Sequence, residues 1–132
     1  QSGAGKVILD VRRGIGPASA TGYTLASLVT SDNYIEKNPV EVAGAVRAIV
    51  KVQKDLKADP SLATQVGQRL FPAQEAEMIA ALVERDLPFY DPSIPETAVE
   101  AMNRFAQETG ILSGPVPYDR VVGTQFSGIW SE

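Results

Sequence analysis

Lys6–Val11 (K-V-I-L-D-V) and Tyr23–Thr30 (Y-T-L-A-S-L-V-T) are the two stretches whose reading decides the fold. The first is a short aliphatic and β-branched run that ends in charge and then in glycine, which suits a buried strand. The second alternates well enough to make another. Between them, Arg12 to Gly22 is rich in Gly, Ala, Ser and Pro and reads as a loop or hinge spanning about 10–22. Two short strands, at about 6–11 and 23–30, are therefore expected at the head of the chain.

After Ser31 the apolar residues recur at three and four instead of two, and the chain becomes a succession of helices. Asn38, Pro39 and Glu41 open a long one, with Val42, Val46, Ile49, Gln53 and Leu56 on its inner face and Arg47, Lys51 and Lys54 opposite. Asp59 and Pro60 start a second helix that runs to about Leu70. Pro72 starts a third, with Met78, Ile79, Leu82 and Val83 inward. Two prolines bracket Leu87–Pro92, which is expected as a packed loop. Ser93 to Glu96 carries a capping-box pattern, followed by Val99, Met102, Phe105 and Ala106 at helical spacing and by Gly110 near the C-cap. A short helix is expected at about Pro117–Val122, with Gly123 and Gly128 loosening the tail. The fold class expected is thus α+β, predominantly helical, in a single domain over 1–132.

Composition narrows the function. The 132 residues carry a formal charge of −4, a poor match to a protein that neutralises phosphates, so nucleic acid is not an expected partner. Cysteine is absent, which excludes thiolate metal sites and cysteine nucleophiles from this chain. Histidine is absent too, removing the commonest general base and transition-metal ligand. No apolar run is long enough to span a bilayer. No cofactor or metal is expected, and no enzymatic activity.

The motifs that suggest phosphate chemistry fail on inspection. Gly3–Lys6 (G-A-G-K) lacks the upstream glycine and the following Ser or Thr of a phosphate loop, and a strand is expected where that loop needs a helix. Gly14–Ser19 (G-I-G-P-A-S) lacks the third glycine of a dinucleotide fingerprint, and Pro17 stiffens its turn. The basic row Arg47, Lys51 and Lys54 reads as a solvated helix face. The candidate ligand-binding residues are Asp10, Arg12, Arg13 and Tyr23, which flank the hinge; arginine supplies a planar donor fork suited to carboxylate, sulfonate or nitrate oxygens.

The run K-V-I-L-D-V, the variable loop, Y-T-L-A-S-L-V-T-S-D-N-Y-I-E-K-N-P and V-E-V-A-G-A-V-R-A-I-V-K-V-Q-K-D-L-K-A-D-P together resemble the C-terminal third of ABC-transporter solute-binding proteins of the nitrate, sulfonate and taurine class. The later F-P-x-x-E-A element and G-I-L-S-G-P-V-P-Y are also similar to that family's closing helices. The resemblance implies a piece of a type II periplasmic-binding fold, with capture of a small anionic ligand in a bilobed parent by hinge closure and docking on an ABC permease. It also implies a periplasmic or extracellular location, with a lipid anchor possible. Helices separated from the missing sheet would need other cover, so a homo-oligomer is expected, formed by pairing of the two strands across a dimer. Pyrimidine-precursor synthases of thiamine biosynthesis also resemble this class, and a helical protein-interaction module using the basic row is the remaining alternative.

Overall fold

Caps and prolines divide the chain into its elements. The computed structural model describes residues 5–17, 22 and 26–132, which fall into two units: 28–93 with 123–132, and 94–122 with the described part of 5–27.

In the first of these units Ser31 caps α1 (Asp32–Lys37), its hydroxyl accepting the Tyr34 N–H at 3.2 Å. Asn38 ends α1, and Pro39, whose missing N–H costs nothing in a first turn, begins α2 (Pro39–Ala58). The Tyr34 hydroxyl donates to Glu41 at 2.8 Å and ties the two helices together. That hydrogen bond and the Glu41 charge raise the Tyr34 pKa above its ordinary value. Val42 and Val50 are buried on α2 with Val46 half-buried, against a 3₁₀ helix at Thr124–Ser131 that contributes the buried Ile129. The inner stripe therefore follows the i, i+4 ridge 42–46–50, and Ile49, expected inside, remains 41% exposed. The tail is also more ordered than its glycines suggest. Gly123 lets the Phe126 ring approach to 3.3 Å of where a Cβ would stand, and the Glu132 carboxylate accepts from Arg47 Nε at 3.3 Å.

The Asp59 carboxylate accepts the Ser61 N–H at 3.0 Å at the head of α3 (Ser61–Leu70), and Pro72 precedes α4 (Ala73–Asp86). These two helices meet through small residues. Ala76 is fully buried, and a Cβ added at Gly67 would stand 3.3 Å from the Ala76 Cβ. After α4 come a 3₁₀ turn at Leu87–Phe89 and Tyr90, whose carbonyl accepts from Lys57 at 2.6 Å. Asp91 then accepts from the Ser93 N–H at 2.9 Å and the Ser93 hydroxyl at 2.7 Å, bonds that hold its carboxyl below the ordinary range. The helix that follows has Pro95, not Ser93, at its N-cap and no side-chain cap, so the expected capping box does not form.

In the other unit Pro95 precedes α5 (Glu96–Glu108), which buries Ala98, Val99 and Ala101. Its end is a Schellman motif. Gly110 sits at φ 75°, Ile111 N–H donates to Ala106 at 2.8 Å and Gly110 N–H to Gln107 at 3.0 Å. A short α6 (Tyr118–Val121) follows, and Val122 is buried.

The head of the chain corrects the expected fold class. Residues 5–9 are neither helical nor paired, and Asp10 forms one antiparallel bridge with Ile15 around a 3₁₀ turn at Val11–Arg13. Residues 26–30 are likewise unpaired, and 23–25 lie outside the described residues. Among the described residues there is no strand and no sheet, so neither the two strands nor the type II α+β arrangement is present. A β-branched run supplies a tendency, whereas a strand needs neighbouring backbone to bond, and no described residue makes a backbone hydrogen bond to 5–9 or 26–30.

The α3–α4 contact has no room for a larger side chain. Ala76→Leu is expected to destabilise the protein by about 1–3 kcal/mol, measured by urea denaturation, whereas Ala81→Leu, on the exposed side of α4, should stay within about 0.5 kcal/mol of the parent.

Candidate functional site

Two places deserve consideration as sites, the turn at residues 10–15 and a cleft on α5. The turn is closed by reciprocal backbone bonds: Asp10 N–H donates to Ile15 at 2.9 Å and Ile15 N–H to Asp10 at 3.0 Å. Gly14 takes φ 73°, a left-handed conformation that would strain other residues. This geometry places Arg13 over its own turn, with Nε 3.6 Å from the Asp10 carboxylate. The Arg13 side chain is 54% exposed and that of Asp10 19%. The contact uses Nε and leaves the two terminal nitrogens of the fork with no partner among the described residues. A fork oriented by a carboxylate and open at its far edge can receive an oxyanion.

Of the four residues expected to bind ligand, the structure brings Asp10 and Arg13 together. Arg12 is the middle residue of the 3₁₀ turn. Tyr23 lies outside the described residues.

The second place escaped the sequence reading. Asn103 on α5 clamps the following segment, its amide donating to the Val116 carbonyl at 2.8 Å and its carbonyl accepting the Val116 N–H at 2.9 Å. Tyr118 closes the far end by donating its hydroxyl to the Ile94 carbonyl. Between these anchors lies a cleft of about 260 Å³ lined by Glu96, Val99, Glu100 and Pro115–Tyr118. That is slightly below the volume of ordinary small-molecule sites, roughly 300–1,000 Å³. Two glutamates one helical turn apart make its rim acidic, which repels the anions that Arg13 would attract. The signal that could have found it is Pro115, Pro117 and Tyr118 following a helix closed by Gly110: a stiff segment returning over the face it has just left.

The comparisons with known proteins add no family. No family model matches the chain, and no curated protein or solved structure matches it.

The basic row of α2 is partly occupied from within, because Arg47 pairs with Glu132 at 3.3 Å and Lys51 with Asp55 at 2.7 Å. Among the described residues no group of three or more His, Cys, Asp or Glu could hold a metal ion, and no helix is long and apolar enough to cross a membrane.

The Asn103 clamp is a sensitive part of the cleft. Asn103→Ala is expected to cost about 1–3 kcal/mol by leaving both Val116 backbone groups without a protein partner. Amide exchange at Val116 should quicken selectively, while the Gly110 amide, bonded to Gln107, keeps its protection.

Proposed function

We propose that this chain is a segment of the solute-binding component of an ABC-type importer, acting on a small anion of the nitrate, sulfonate or taurine kind. The observation that carries the reading is the Arg13 fork, held by Asp10 on a glycine-closed turn with its terminal nitrogens open. The resemblance of the surrounding residues to that class supplies the biological setting. In this reading the parent receptor works by binding and release, without chemistry, outside the cytoplasmic membrane, and delivers its solute to a permease.

Physical chemistry supports an anion over other small ligands at this turn. A guanidinium with Nε 3.6 Å from a carboxylate keeps a charged, planar edge that matches two oxygens of a sulfonate or nitrate. Asp10 reduces the net charge of the pair, which favours a singly charged oxyanion over a multiply charged phosphate. The uncovered apolar residues at the head of the chain are compatible with further polypeptide packing there in the parent.

Isothermal titration of taurine, methanesulfonate and nitrate into the protein at its full encoded length tests the reading. Saturable binding of at least one is expected, and Arg13→Ala should weaken it about tenfold or more, the loss expected for a charge-assisted contact. Absence of binding by all three, or binding indifferent to Arg13→Ala, contradicts it.

A further inference from the structure

The cleft between α5 and Pro115–Tyr118 is built entirely by residues 94–118. Its walls are stiff. Asn103 holds both backbone groups of Val116, Pro115 and Pro117 fix their own φ, and the Tyr118 hydroxyl is committed to the Ile94 carbonyl. Val99, only 8% exposed, lines the same cleft from the helix side. A cleft braced in this way is preformed, and a ligand entering it has little protein to order.

Glu96 and Glu100 stand one turn apart on α5, and both line the cleft. A glutamate in a first turn is explained by the helix N-terminus, so Glu96 alone would mean little. Glu100 is not explained in that way. Arg104 lies one turn further along, in the spacing and order that favour an ion pair, yet Glu100 pairs neither with it nor with any other described residue. Apolar walls thus meet two acceptor groups whose charge no described ion pair offsets.

We propose that this cleft binds a small organic ammonium, with a compact apolar body against Val99, Pro115 and Pro117 and its charged nitrogen beside Glu96 and Glu100. An ammonium group only donates hydrogen bonds and an ionised carboxylate only accepts them, so the two are matched without a competing group. Because the Tyr118 hydroxyl is already used, its ring is the part left to meet a ligand.

Other occupants fit this cleft less well. An anion meets two carboxylates. A bare divalent metal ion takes about six or more oxygen ligands, whereas the walls are mostly apolar and no group of three or more acidic residues is present among the described residues. A peptide laid along Pro115–Pro117 needs backbone groups to bond, but Val116 gives both of its own to Asn103 and the prolines carry no N–H. The volume of about 260 Å³ keeps the ligand compact. The inference does not rest on the anion reading of the Arg13 turn, which concerns the opposite charge.

Benzylammonium, titrated into the 132-residue protein and followed by amide NMR shifts, tests the assignment. Saturable shifts are expected at Val99, Asn103 and Val116. Benzyl alcohol, the neutral molecule of nearly the same shape, should bind about fivefold more weakly or worse, a comparison that needs no substitution. Glu96→Gln/Glu100→Gln should weaken benzylammonium about tenfold, whereas Glu75→Gln/Glu77→Gln, which removes the same charge from α4, should leave it within about twofold. An unchanged exchange rate at the Val116 amide shows that the clamp survives each change. Shifts that do not saturate, equal binding of benzyl alcohol, or affinity indifferent to Glu96→Gln/Glu100→Gln would overturn the assignment. Tighter binding of magnesium ion or of the blocked tripeptide Gly-Lys-Gly at the same amides would also overturn it, in favour of a metal or a peptide.

Discussion

The reciprocal pair of backbone hydrogen bonds between Asp10 and Ile15 is the constraint from which the functional geometry follows. It closes the turn that brings Arg13 Nε to 3.6 Å from the Asp10 carboxylate. Gly14, in a left-handed conformation, is what allows so few residues to reverse the chain. One bridge thus sets a cationic fork beside a carboxylate on a four-residue reversal.

The helices have a different economy. Buried positions are held by small and β-branched residues such as Ala76, Ala98, Ala101, Val42 and Val50, and no large side chain is fully buried among the described residues. Helices of this kind depend on close approach, as at Gly67 and Ala76, and on local bonds at their ends, as at Ser31, Asp59 and Gly110. Leu70, Met78, Leu82, Met102 and Phe105 remain substantially exposed, apolar mass that the described packing leaves in water. Contact with another surface would lower that cost at about 25 cal/mol per Å² covered.

The helical part was legible in the sequence because its signals are local. Pro39 in a first turn, Pro72 just before one, and Gly110 after a last turn mark boundaries wherever they stand, since they act through their own backbone. The stripe on α2 was nearly right and failed at Ile49 against Val50, a choice made by the neighbour at Thr124–Ser131 and invisible in α2 alone. The head of the chain misled for the same reason. Valine, isoleucine and leucine in K-V-I-L-D-V have strand character, but a ladder is a property of two segments, and only a single bridge is present. Of the site, Asp10 and Arg13 stand out in the sequence only by their position beside a glycine-rich loop, and their pairing depends on the turn closed at Ile15. The cleft beside Asn103 could not, because it arises where Val116 returns to α5.

Amide hydrogen exchange at Asp10 and Ile15 addresses the turn most directly. The account predicts slowed exchange at both, since each N–H donates to the other residue's carbonyl. Exchange at the rate of free peptide at both residues would contradict it.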